Sequence, residues 1–83
     1  SVDKVMASAA QLYGEKVLGV LLTGMGRDGA IGMQEIKKRR GRTIVEAEES
    51  CVVFGMPRAA LELGVADKVV PLKEIAQEII NEL

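Results

Sequence analysis

Thr23-Gly24-Met25-Gly26-Arg27-Asp28-Gly29 sets three glycines, one cation and one carboxylate between two apolar segments. Two kinds of chemistry fit that pattern. Glycines turn the chain tightly and let a ligand approach backbone N–H groups. Gly24, Gly26 and Gly29 satisfy G-x-G-x-x-G, the spacing that holds a dinucleotide pyrophosphate at a helix N-terminus, with Glu46 and Glu48 near the distance of a ribose-binding acid. Against that reading, Asp28 places a negative charge where the pyrophosphate must approach, and Arg27 offsets it only in part. A fingerprint of this kind also normally opens its domain, whereas a helical segment precedes it here. The second chemistry uses Asp28 as an acid held rigidly at a strand's carboxyl end, accepting a hydrogen bond from an imidazole. A plain structural role competes with both: aspartate caps helices, a contribution of about 1 kcal/mol.

The chain contains no histidine and one cysteine. A serine or cysteine nucleophile within it has no imidazole base, so Ser50-Cys51 reads as packing, not catalysis. A metal would have to rest on carboxylates and one thiol. An internal disulfide is excluded. If the chain serves an enzyme, the base comes from elsewhere. Met25, Met33 and Met56 read as core fillers and not as soft-metal ligands.

The elements that position these residues follow from hydrophobic periodicity. Val2, Val5, Met6, Ala9, Leu12 and Tyr13 recur at helical spacing, and Gly14 suits the left-handed position that ends a helix. Val17 to Leu22 is a short apolar run, the pattern of a strand covered on both faces. Residues 29–40 suit a helix with Ala30, Met33 and Ile36 inward, a solvated basic end at Lys37-Lys38-Arg39-Arg40 and Gly41 as its stop. Thr43 to Ala47 reads as a second strand. Pro57 opens a short helix to Leu63 with Gly64 closing it. Lys68-Val69-Val70 is a third strand. Ile75, Ala76, Ile79, Ile80 and Leu83 form the stripe of a last helix. Strands alternating with helices predict βαβ units and a parallel sheet with helices on its faces. The glycine loop follows the first strand, at the carboxyl edge where open α/β sheets bind ligands.

Acidic and basic residues nearly cancel, 12 against 11, so no net field draws the chain to nucleic acid or a membrane surface. No apolar run approaches the roughly 20 residues that span a bilayer. These features point to the cytoplasm. A chain of 83 residues makes at most one small domain. A parallel sheet rarely stops at three strands, so the chain reads as one piece of a larger sheet.

Leu22-Thr23-Gly24-Met25-Gly26-Arg27-Asp28-Gly29-Ala30, followed by Glu49-Ser50-Cys51-Val52-Val53-Phe54-Gly55-Met56-Pro57, resembles the chemotaxis protein-glutamate methylesterases, the CheB family. Arg58 to Gly64 and Pro71-Leu72 match in order and spacing, so the resemblance covers essentially the whole chain. It implies an α/β fold, part of a three-layer, mostly parallel (Rossmann-like) sheet with helices on both faces. It implies that residues 1–83 are the C-terminal part of a catalytic domain, without its N-terminal part or the receiver domain that precedes it. It further implies a serine hydrolase that removes methyl esters from glutamates on chemoreceptor cytoplasmic helices and deamidates receptor glutamines, needing no cofactor. Asp28 inherits the acid of a Ser-His-Asp triad, and the backbone N–H of Met25 matches an oxyanion-binding group. Gly24, Gly26, Phe54, Gly55 and Met56 fall on the substrate side. The serine and histidine lie upstream of Ser1, which predicts that these 83 residues alone are inactive. Val45-Glu46-Ala47-Glu48 departs from the Ala-Gln-Asp-Glu-like stretch of the family, and Arg39-Arg40 replaces smaller residues. A nucleotide-binding module on Gly24, Gly26 and Gly29 is the alternative, and a non-enzymatic interaction fragment a third.

Overall fold

The computed structural model describes residues 2–22, 29–47 and 64–83. Helix α1 spans Val2–Tyr13, a 3-10 turn spans Gly14–Lys16, and strand β1 spans Leu18–Leu21. Helix α2 (Ala30–Lys38) and strand β2 (Arg42–Glu46) follow, then β3 (Lys68–Val70) and helix α3 (Leu72–Glu82). The strands are parallel in the order β1-β2-β3, so each follows its neighbour by a crossover. The helix expected from Pro57 to Leu63 lies outside the described residues, as do Ser50 and Cys51.

Side-chain alternation along the strands builds two cores, one on each face of the sheet. Leu21 of β1 and Val45 of β2 pack with Ala10, Met33 and Ile36 from α1 and α2. Ile44 of β2 and Val70 pack with Ile75 of α3, and Leu18 and Val20 join them. The chain is therefore α/β with helices on both faces, and β2 is the buried centre: Thr43, Ile44, Val45 and Glu46 are all buried. Met33 is a fully buried core filler, as expected.

Two helical stripes differ from the sequence reading. In α1 the buried side is carried by Ala10 and partly by Met6, while Val5 (70% exposed), Leu12 (75%) and Tyr13 (63%) face outward. The reason is close approach. At Gly32 of α2 an added Cβ would meet Met6 Cβ at 2.5 Å, so α1 seats by packing Met6 against a glycine. In α3 only Ile75 is buried and Ile79 partly so, whereas Ile80 and Leu83 are exposed. The helix also begins earlier than its apolar stripe, at Leu72, after Pro71 in an extended conformation.

Gly14 takes the left-handed conformation expected of it (φ 52°). The end of α2 is built differently from expectation. Arg40, not Gly41, holds the positive φ (66°). Arg40 N–H donates to Lys37 C=O (3.0 Å) and Gly41 N–H to Ile36 C=O (2.9 Å), the paired closure of a Schellman motif. Gly41 is needed for space, since a Cβ there would meet Ile36 Cγ2 at 2.5 Å and Val17 O at 2.9 Å. The basic end is only partly solvated. Lys37 Nζ pairs with Asp67 (2.7 Å), while Arg39 and Arg40 are exposed.

Candidate functional site

Parallel pairing decides where the two sequence motifs emerge. Leu21 lies opposite Val45, and Glu46 opposite Val70, so the strands end together at one edge. Residues 23–28 leave that edge from β1 and residues 48–63 leave it from β2, the adjacent strand. The strands that lead into the glycine loop and into the segment bearing Phe54, Gly55 and Met56 are thus neighbours. This is the carboxyl edge, where open α/β sheets place their sites. Gly24, Met25, Gly26 and Asp28 lie outside the described residues, as do Phe54, Gly55 and Met56.

The return of the glycine loop is described from Gly29. Gly29 is the N-cap of α2 at φ 101°, a left-handed conformation that a side chain rarely adopts. Space there is also closed: a Cβ would meet Leu21 Cδ2 at 2.7 Å and Val2 Cγ1 at 3.6 Å. Gly29 therefore has room for no side chain beside the end of β1. A glycine N-cap supplies no oxygen for the free N–H groups of the helix. Asp3 supplies it from the first turn of α1. Its Oδ1 accepts from Gly29 N–H (2.9 Å) and from Gly32 N–H (2.7 Å).

Nothing in the sequence around Asp3 marks it for this role. The carboxylate lies 26 and 29 residues from its partners, and no local spacing marks such a contact. Its bearing on the loop is direct. The N-cap position itself is Gly29, and the carboxylate that serves Gly29 N–H and Gly32 N–H is that of Asp3. The dinucleotide alternative loses support on that ground. A pyrophosphate at the start of α2 needs free N–H donors and a positive field. Two of those donors are already bonded to an anion of the chain itself.

Glu46 closes the carboxyl end of the central strand and is fully buried. It stands where the family pattern leads to the expectation of an amide. Among the described residues no group of three or more histidine, cysteine, aspartate and glutamate side chains gathers to hold a metal ion. No helix among them is long and apolar enough to cross a membrane.

At the opposite edge Asp67 ties three elements together. It accepts from Lys37 Nζ (2.7 and 2.8 Å) and from Thr43 N–H (2.9 Å), while Thr43 Oγ1 donates to Val65 C=O. Partial burial raises the Asp67 carboxyl, but the Lys37 ammonium and the Thr43 N–H outweigh it and hold the group below its ordinary value. This network stabilises the frame on the side away from the glycine loop.

Comparison with known proteins agrees with this geometry. Residues 1–79 match the family model described as CheB methylesterase. A protein-glutamate methylesterase/protein-glutamine glutaminase of Carboxydothermus hydrogenoformans is 57% identical over 79 residues, covering 95% of this chain and 23% of that protein. The protein of the same description from Pyrococcus abyssi is 51% identical, over 95% of this chain and 22% of its own length. The crystal structure of the Thermotoga maritima CheB methylesterase catalytic domain superposes with a TM-score of 0.95 at 42% identity, covering 98% of this chain and 43% of that one. The chain thus spans roughly a quarter of the length of these two relatives.

Proposed function

Since this chain belongs to the CheB methylesterase family, we propose that it is the C-terminal part of a methylesterase catalytic domain and supplies that domain's triad aspartate, Asp28. The observation that carries the reading is the shared carboxyl edge, from which the Asp28 loop and the Phe54–Met56 segment depart on adjacent strands. The capping of α2 by Asp3 adds to it, because Asp3 already serves two N–H groups at the start of that helix.

In this reading a serine and a histidine come from another part of the parent polypeptide. The serine oxygen attacks the ester carbonyl of a receptor glutamate as the histidine takes its proton, and methanol leaves with a proton returned by the histidine. Water then attacks the acyl-enzyme and releases the glutamate carboxylate. Asp28 accepts from the second ring N–H, fixing the tautomer and stabilising the imidazolium. The backbone N–H of Met25 faces the developing oxyanion. Deamidation of receptor glutamines follows the same path with ammonia as the leaving group. Gly24, Gly26, Phe54, Gly55 and Met56 line the substrate side. The substrate is a methylated cytoplasmic helix of a chemoreceptor, the setting is the cytoplasm, and a receiver domain upstream in the parent controls access. No metal or organic cofactor takes part.

The test is Asp28→Asn in the intact parent enzyme, with methanol release measured on methylated receptor. Asparagine keeps the shape but presents an amide that favours the wrong imidazole tautomer. In serine proteases the corresponding change lowers kcat by about 10⁴. A fall of at least 100-fold with an unchanged melting point is expected. Rates within threefold of wild type would withdraw the triad assignment.

A further inference from the structure

We propose that Asp3 is a positioning residue for the reaction, holding Gly29, and through one peptide bond Asp28, at the carboxyl edge of the sheet. The inference rests on the triad reading of Asp28 and extends it to a residue in a different helix.

One oxygen, Oδ1, receives the N–H of the first residue after the loop and the N–H of a residue one turn into α2. Those two bonds fix both the place where the loop ends and the direction in which the helix leaves it. A helix start is usually capped by the side chain of its own N-cap residue, which moves with the helix. Here that residue is a glycine, and the carboxylate is anchored in another element.

The anchor is itself clamped. Gly32 sits where a Cβ would overlap Met6 Cβ, and a Cβ at Gly29 would reach Val2 Cγ1 at 3.6 Å. Val2 and Met6 flank Asp3 in α1, so Asp3 cannot drift without opening packed contacts. On the other side a Cβ at Gly29 would meet Leu21 Cδ2 at 2.7 Å, Leu21 being the last residue of β1. Both ends of the glycine loop are thereby referenced to the same rigid frame. Triad geometry tolerates errors of only about 0.5 Å, and a misplacement of about 1 Å costs on the order of 100-fold in rate. A capping bond that sets the position of Gly29 therefore bears on kcat as well as on stability.

The experiment is a double-mutant cycle in the intact parent enzyme, with kcat and KM for methylated receptor measured on the folded fraction isolated by gel filtration. Asp3→Ala is expected to lower kcat about tenfold at nearly constant KM. Asp3→Asn, whose Oδ1 still accepts both N–H groups, recovers most of that loss. In an Asp28→Asn background Asp3→Ala has less than a twofold further effect, since the group it positions no longer functions. Asp3→Glu keeps the charge near α2 but displaces the oxygen by a methylene, so it keeps the frame folded and still loses kcat; it serves where the alanine variant fails to fold. Full kcat in Asp3→Ala or Asp3→Glu, or the same tenfold loss in the Asp28→Asn background, would reduce Asp3 to a helix cap and overturn the proposal while leaving the triad standing. A near-wild-type Asp28→Asn enzyme would overturn the triad reading, and the positioning role with it.

Discussion

Asp67 and Asp3 are both carboxylates that serve distant backbone N–H groups, and neither is marked by its neighbours in sequence. Asp67 meets Lys37 30 residues away and Thr43 24 residues away. Its side chain is 36% exposed, so the Lys37 pair is screened and contributes less than about 1 kcal/mol. Its carboxyl titrates below the ordinary value of 3.8 in the folded state. A depressed folded value stabilises the protein above the unfolded value, and that stabilisation is lost as pH falls through the folded one. Asp67→Asn keeps an oxygen for Thr43 N–H and loses only the charge. Its urea midpoint in the intact parent should therefore lie slightly below wild type at pH 7 and converge with it below pH 3.8. Asp67→Ala also strands the Thr43 N–H, which costs about 1–3 kcal/mol, and this larger deficit persists in acid. An Asp67→Asn deficit that is the same at pH 7 and pH 3 would show that charge plays no part.

The elements were legible where local rules act alone. Each strand was placed within about a residue of its observed ends, because a short apolar run bounded by breakers has few other readings. The faces of the helices were less legible. Val5, Leu12 and Tyr13 satisfy helical periodicity, yet the contact that seats α1 is made by Met6 against a glycine in α2. Periodicity finds a stripe of bulk; it does not find a seat that depends on a glycine in the facing helix. The end of α2 shows the same limit. Gly41 signals a stop, but the left-handed residue is Arg40, and glycine is required one position later by Ile36 and Val17. Gly32 gives the sharpest test at this scale. On propensity alone Gly32→Ala should stabilise α2 by about 1 kcal/mol. The new Cβ would lie 2.5 Å from Met6 Cβ, an atom fixed to the backbone of α1 that no rotamer change can move away. Overpacking of this kind costs about 1–3 kcal/mol, so the clash outweighs the propensity gain. The variant should melt below wild type, and the exposed control Ile31→Ala should change the melting point far less. A Gly32→Ala enzyme more stable than wild type would mean that α1 shifts freely, and the rigid seat assigned to Asp3 would fail with it.

On the scale of the whole molecule, the described residues form two thin cores on a three-stranded sheet. Among the described residues only a handful of large side chains are fully buried, while Val5, Leu12, Tyr13, Leu22 and Ile80 stay exposed. A chain of this length buries only about 60–65% of the surface it exposes when unfolded, which leaves little margin over conformational entropy. Strand β1 also borders the described sheet, and parallel sheets are normally covered and continued. The matched solved domain is more than twice as long as this chain. The isolated 83-residue chain should accordingly melt without a sharp transition, bind a hydrophobic dye and associate as its concentration rises. It should also release no methanol from methylated receptor, having no imidazole of its own. Co-expression with the remaining part of the parent catalytic domain should remove the dye binding, restore a cooperative melt and bring back turnover, and that turnover should vanish with Asp28→Asn. Two results would count against this picture. A cooperative, concentration-independent melt of the 83 residues alone would show that the exposed α1 flank and the β1 edge need no cover. Turnover by the isolated chain, abolished by Ser50→Ala or Cys51→Ala, would move the chemistry off the proposed triad and onto a nucleophile within this chain.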